Sequence, residues 1–252
     1  MKITILGSGS KGNSTLLEIK ETKILIDVGF SYRSLKEKLS SINVTPQDID
    51  YIFITHDHSD HIYGLSTFLK MYNPYVYMSP KIAEIYFNKK YNKLRYLKES
   101  FEIKDIKVTL IPTSHDSTDS DGFLIEYLGD SLVYITDTGY IPSKLLSKIK
   151  NKKYYIIESN HDIDMLINGS YPPYLQKRIL GDSGHLSNEL CGMYLSKIIG
   201  NNTEKIVLAH LSEENNSASI ALKTVSGLLK DANENCTICC ALQNELLEIT
   251  ND

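Results

Sequence analysis

The stretch Tyr51-Ile52-Phe53-Ile54-Thr55-His56-Asp57-His58-Ser59-Asp60-His61 decides the reading of this chain. Its first five residues are aromatic or β-branched, the composition of a buried strand. The next six hold three imidazoles and two carboxylates. His56 and His58 stand two apart in an extended segment, so they project to the same side and can grip one ion. Asp60 and His61 fall at the start of a following helix and can reach a second ion nearby. Nitrogen and oxygen donors without thiolate suit Zn²⁺, Mn²⁺ or Fe²⁺ better than a structural zinc knot.

The remaining histidines are His115, His161, His185 and His210. Each follows an expected strand or lies in a polar turn, where open α/β architectures place ligands. Upstream, Ile3 to Leu6, Thr15 to Ile19 and Lys23 to Asp27 are short β-branched runs separated by turn-formers, the pattern of an antiparallel meander. Leu35 and Leu39 mark a helix, His61 to Met71 a second, and Tyr75 to Met78 a strand, with Pro80 opening another helix. The second half repeats the order. Strands are expected at Ile106 to Ile111, Gly122 to Tyr127 and Ser131 to Ile135, with a tight turn at Gly129-Asp130. Helices are expected at Ser143 to Lys148, Asn188 to Ile199 and Glu214 to Lys230, and strands at Tyr154 to Ile157 and Lys205 to Ala209. Two mixed α/β halves imply paired sheets with helices outside them.

With 252 residues, 42% hydrophobic and 23% charged, the chain has the composition of a soluble globular protein. A net charge of −4 leaves nucleic-acid binding to a local patch. No apolar run is long enough to span a bilayer, and a glycine at position 7 comes too early for a signal-peptide core. A cytoplasmic location with no membrane attachment is therefore expected. Cys191, Cys236, Cys239 and Cys240 read as small core residues, the last three in a buried strand.

The segment His56-x-His58-x-Asp60-His61 resembles the HxHxDH signature of the metallo-β-lactamase superfamily. His115 in Pro112-Thr-Ser-His115-Asp, Asp137 in Tyr134-Ile-Thr-Asp137-Thr-Gly and His210 in Val207-Leu-Ala-His210-Leu-Ser resemble its later ligand motifs, in order. The resemblance implies a four-layer αββα sandwich as a single domain, and a centre of two divalent metal ions. His56, His58 and His115 would hold one ion, Asp60, His61 and His210 the other, with Asp137 between them. Such a pair lowers the pKa of a water held between the ions and stabilises attacking and leaving oxygens. Asp60 would orient or deprotonate that water.

Aspartate at position 137, where the resemblance to penicillin-hydrolysing members would favour cysteine, points away from antibiotic hydrolysis. Gly184-His185-Leu-Ser-Asn188, Glu158-Ser-Asn160-His161-Asp162 and His210-Leu-Ser212 are similar to segments of the YycJ/WalJ group of small members, DNA exonucleases or phosphodiesterases. That resemblance implies a DNA substrate, with His185 as a second catalytic residue. His161, His185, Asn188 and Ser212 become candidate phosphate contacts. The span between Asp137 and His210 is too short for a β-CASP insertion. Tyr86 to Lys98 carries five basic and no acidic residues with interleaved aromatics, which suits either stacked bases or a solvated helix face.

The loop Gly7-Ser-Gly9-Ser-Lys-Gly12 satisfies GxGxxG. However, Asn13 to Ile19 is expected to continue as a strand, so no nucleotide cofactor is expected. Ser10, Asn13 and Ser14 of this loop are candidate substrate contacts beside the metals. Two alternatives stay open: a small-molecule ester, thioester or lactone hydrolase, and a non-catalytic regulatory binding protein.

Overall fold

A computed structural model describes residues 1–87, 91–229 and 236–250 of the chain. The chain folds as two compact units, one of Met1–Glu99, Ser117–Ser120 and Leu242–Asp252, the other of Ser100–Asp116 and Asp121–Ala241.

The first unit opens with the expected meander, β1 (Lys2–Gly7), β2 (Ser14–Ile19) and β3 (Thr22–Ile26), paired antiparallel. Helix α1 (Tyr32–Ser41) follows, with Ser31 capping the Ser34 amide and Leu35 and Leu39 buried as their spacing requires. Strand β4 (Tyr51–Phe53) joins β3 in parallel. After helices α2 (Ser59–Ile62) and α3 (Leu65–Met71), β5 (Tyr75–Met78) adds to the sheet in parallel. Helix α4 (Pro80–Tyr86) has Pro80 in its first turn, and β6 (Leu94–Tyr96) closes the parallel side. Leu6, Leu16, Leu25, Ile52 and Val76 of this sheet pack with Leu35, Leu39, Phe68 and Ile82 of the helices. Ile3, Ile5, Leu17, Ile24 and Phe53 are equally buried, so the strands read as nearly continuous apolar runs.

The second unit repeats the pattern. Strands β7 (Ser100–Ile103), β8 (Ile106–Pro112), β9 (Asp121–Tyr127) and β10 (Asp130–Ile135) form an antiparallel meander. Helix α5 (Ser143–Ile149) leads to β11 (Tyr154–Glu158), parallel to β10. Helices α6 (Ile163–Asn168), α7 (Pro173–Ile179) and α8 (Asn188–Ile198) precede β12 (Lys205–Ala209). Helix α9 (Ala218–Leu228) then leads to β13 (Thr237–Cys240), and both strands extend the parallel side. Val133, Ile135, Tyr155, Ile157 and Leu208 pack with Leu145, Ile149, Leu195 and Val225. The last strand, β14 (Leu247–Ile249), returns to the first sheet beside β1. The expected class, two mixed sheets with helices, is what the chain adopts.

Four expectations need correction. The single helix from His61 to Met71 is broken, because the His61 carbonyl accepts from Val28 N–H (2.8 Å) and Gly64 N–H donates to the Val28 carbonyl (2.9 Å). A Cβ at Gly64 would lie 2.2 Å from the Phe30 carbonyl, so only glycine permits this approach. The last helix begins at Ala218 rather than Glu214, where the Ser217 hydroxyl supplies its cap. The half-buried cysteines of β13 lie in an edge strand rather than a buried one. The hairpin turn uses Leu128 and Gly129, with Asp130 already paired to Tyr127. Its two central residues have φ of 44° and 90°, and a two-residue turn with both positive is the type that matches strand twist.

Leu128 is 82% exposed, so its side chain contributes little to offset the left-handed backbone. Leu128→Asn is expected to stabilise the fold by roughly 0.5–1 kcal/mol, because asparagine tolerates that conformation. An unchanged or lowered urea midpoint would show that the turn is unstrained.

Candidate metal centre

Within each sheet, topology gathers the polar residues at one end. Strands β1, β3 and β4 run the same way, so the segments after them open on a common edge. Strands β8, β10, β11 and β12 do likewise. Carboxyl-terminal edges of parallel strands are the usual ligand side of such sheets.

In the first unit His56 and His61 are fully buried and His58 is half-buried. The His56 ring lies 4.8 Å from that of His58 and 4.0 Å from that of His61, centroid to centroid. Asp27, which follows β3 with φ of 61°, organises the group. Its Oδ1 accepts from Thr55 N–H at 2.8 Å, and its Oδ2 takes the Thr55 hydroxyl at 2.8 Å and His61 Nδ1 at 2.7 Å. Burial pushes the Asp27 carboxyl above the ordinary carboxylate range, against the pull of His61 and Thr55. Asn13 is buried; its side-chain amide lies 3.2 Å from Asp60 Oδ2 and 3.0 Å from His61 Nε2. Gly29 completes the packing, since a Cβ there would fall 1.7 Å from the Asp60 carbonyl oxygen.

In the second unit Glu158, at the end of β11, plays the organising part. Its Oε2 accepts from Thr138 and Leu186 N–H, both at 3.0 Å. Its Oε1 binds Nδ1 of both His185 and His210 at 2.8 Å. Burial raises this carboxyl, but the two imidazoles outweigh it and hold it at about 2. Asp137 Oδ1 stands 3.2 Å from His210 Nδ1, 3.7 Å from His185 Nδ1 and 3.7 Å from His115 Nε2. Asp137 and His210 have φ of 54° and 55°, the left-handed conformation that in non-glycine residues costs about 1–3 kcal/mol and clusters at functional sites. His115 Nδ1 donates to the Gly184 carbonyl at 3.2 Å, and burial holds its pKa below the ordinary imidazole value.

His61, His115 and His210 therefore each commit Nδ1 to a carboxylate or carbonyl, which leaves the ring lone pair on Nε2. Asp137, Glu158, His185 and His210 each offer a donor atom within 4.8 Å of the others. The donor set fits divalent ions.

The expected substrate contacts divide. Ser10 is exposed. Asn13 is spent on Gly9, Asp60 and His61, and Ser14, fully buried, donates to the Asp27 carbonyl. Asn188 is also fully buried, joined to Ser159 and Asn216, while Ser212 accepts from Asn215 N–H. His185 is the partly exposed member. His161 is buried, neither ring nitrogen has a hydrogen-bond partner among the described residues, and burial lowers its pKa to about 4. Lys89 and Lys90 lie outside the described residues. Elsewhere in that stretch Phe87 and Tyr91 stack on each other and pack into the core. Lys93 and Arg95 lie over the Tyr75 ring at the sheet edge, on a turn and strand rather than a helix.

No sequence motif singles out Asp27, Glu158 or Asn160 for these roles; the Asn160 amide holds the His210 carbonyl at 2.9 Å. The two carboxylates do carry a signal, each closing an apolar strand: Lys23-Ile-Leu-Ile-Asp27 and Tyr154-Tyr-Ile-Ile-Glu158.

Residues 7–210 match the metallo-beta-lactamase superfamily, and the chain belongs to it; it is a metal-dependent hydrolase. It is 38% identical over 239 residues to the exodeoxyribonuclease WalJ of Streptococcus pneumoniae, covering 92% of this chain and 89% of that protein. It is 32% identical over 245 residues to the exodeoxyribonuclease YycJ of Bacillus anthracis, covering 92% and 90%. Among solved structures, the metallo-beta-lactamase fold protein YhfI of Bacillus subtilis matches with a TM-score of 0.74 at 15% identity, over 98% of both chains. That likeness shows the fold.

Glu158→Gln is expected to weaken metal binding about 10–100-fold, read by calorimetric titration, because it loosens His210. The folded pKa lies below the ordinary 4.5, so the stability this carboxylate adds is present above about pH 4.5 and lost as pH falls toward about 2. The wild-type advantage over Glu158→Gln should vanish across that window; a constant difference would contradict the assignment.

Proposed function

We propose that this chain is a dinuclear phosphodiesterase that cleaves DNA from an end, in the cytoplasm. The observation that carries the reading is the pairing of His185 and His210 on the single buried oxygen Glu158 Oε1. His210 matches a ligand motif; His185 does not, yet it is held as firmly and is partly exposed. A second, oriented imidazole suits donation to a phosphate oxygen or to the leaving oxygen. The names of the relatives, both exodeoxyribonucleases, favour DNA. The whole chain is read as one catalytic domain without a β-CASP insertion.

His56, His58 and His115 would hold one ion, and Asp60, His61 and His210 the other, with Asp137 shared; zinc or manganese, or iron, suits these donors. The ions, when bound, would acidify water and offset the charge of the phosphate. Asp60 would orient the attacking water or take its proton. His185, with Nδ1 committed to Glu158, would present Nε2 to the substrate.

Metal-loaded protein offered single- and double-stranded DNA, RNA, a chromogenic phosphodiester, a lactone and a glutathione thioester should cleave DNA progressively from an end. Cleavage of the last two alone would replace this reading with small-molecule hydrolysis. Asp60→Ala that retains metal should lose at least about a hundredfold in kcat/KM. His185→Ala should keep the full metal content and lose about a hundredfold in kcat; loss of metal instead would make His185 a ligand.

A further inference from the structure

A cavity of about 370 Å³ adjoins Asp60 in the first unit. Such a volume lies at the lower end of the range of small-ligand pockets, about 300–1,000 Å³. Ser10, Ser31, Ser34 and Ser59 line it, together with Lys11 and Tyr63. It draws on three elements that the backbone locks together. Asn13 N–H donates to the Asp60 carbonyl at 2.8 Å, and Gly29 N–H to the Asn13 carbonyl at 3.0 Å. Gln243 accepts from Lys11 N–H at 2.7 Å and donates to the Gly12 carbonyl at 2.7 Å. The walls are thus fixed by main-chain bonds and by the Gln243 side chain, while the mostly polar side chains lining them differ in chemistry from the apolar lining of a typical drug-sized site.

The chemistry is graded across the pocket. Ser10, Lys11, Ser31 and Ser59 are exposed, and α1, whose first turn carries no acidic side chain, begins at its wall. Hydroxyl donors, an ammonium and the positive end of a ten-residue helix together favour a phosphate. Tyr63 is 67% exposed, so its ring is open to a flat partner. Asp60, a ligand in the proposed centre, stands among the lining residues, so an occupant would sit beside the reacting bond.

We propose that this pocket is a nucleotide subsite for the strand being cut. Lys11 and the serine hydroxyls bind the phosphate next to the scissile one, and the Tyr63 ring stacks on the base of that nucleotide. The assignment rests on the phosphodiesterase reading for its place in the reaction. It adds residues that the ligand motifs do not include.

The chain contains no tryptophan, so Tyr63→Trp places a single indole at this pocket. The full metal-loaded chain with that substitution is titrated with a short phosphorothioate oligodeoxynucleotide, a deoxynucleoside monophosphate, the matching nucleoside and inorganic phosphate. The oligonucleotide and the monophosphate should quench the indole saturably. The nucleoside should bind at least about tenfold more weakly, and inorganic phosphate should compete without quenching. Adding Lys11→Gln should weaken oligonucleotide binding about tenfold and reduce its salt slope by about one. Absence of quenching, or quenching and a salt slope that Lys11→Gln leaves unmoved, overturns the subsite. Binding is read separately from turnover: quenching without phosphodiester hydrolysis would sink the proposed reaction and keep the subsite, and hydrolysis without quenching would do the reverse.

Discussion

A buried carboxylate at the end of an apolar strand is costly unless donors surround it, and the polar cluster of each unit is arranged around one such group. Asp27 closes β3 and Glu158 closes β11, both fully buried. Each accepts backbone N–H bonds, and each binds imidazole Nδ1. Desolvation of an isolated carboxylate in such a place would drive it to its neutral form. The histidines prevent that loss for Glu158, and in return the carboxylate fixes which nitrogen of each ring points away from it. The orientation of the imidazoles is in this sense a consequence of charge burial.

The same constraint explains the irregular backbone. A continuous helix from Ser59 to Met71 would keep its own carbonyls paired. Instead the carbonyls of Asp60 and His61 accept from Asn13 and Val28, and Gly64 donates back to Val28. Those diverted bonds tie the loops after β1 and β3 to the metal motif. They also place Asp27 against His61. Left-handed φ at Asp27, Asp137 and His210 has a similar origin, because each chain segment turns sharply off its strand end while keeping its side chain with the other polar groups. About 1–3 kcal/mol per such residue is tolerated because packing on both faces of the strands over-determines the conformation.

Superfamily membership and hydrolytic chemistry follow from residue types and their order: imidazoles and carboxylates in a fixed succession. The particular reaction depends on which histidines are ligands and which are held for substrate. His185 and His161 look alike in the sequence, each in a short polar segment. In the folded chain His185 is anchored on Glu158 and partly exposed, whereas His161 is buried with no hydrogen bond to either ring nitrogen among the described residues and a depressed pKa of about 4. The difference lies in what packs around them.

Local sequence determined the metal motif, the two strand meanders and most of the helices. Periodicity and β-branching act over a few residues, and closely spaced donors of this kind have few other uses. It also determined that Gly7 to Gly12 leads into a strand, since Ser14 to Ile19 carries the β pattern. Tertiary structure alone decided that Asn13, Ser14 and Asn188 face inward, that Asp27 and Glu158 carry the histidines, and that the helix after His61 breaks. Apart from the bonds of Asn13 within its own loop, such as that to Gly9, those inward-facing side chains and carboxylates are held by hydrogen bonds between residues 13 to 52 positions apart in the chain, beyond the reach of any local pattern. Burial makes an unpaired polar atom costly, and the partners that relieve the cost are ones only the folded chain brings near.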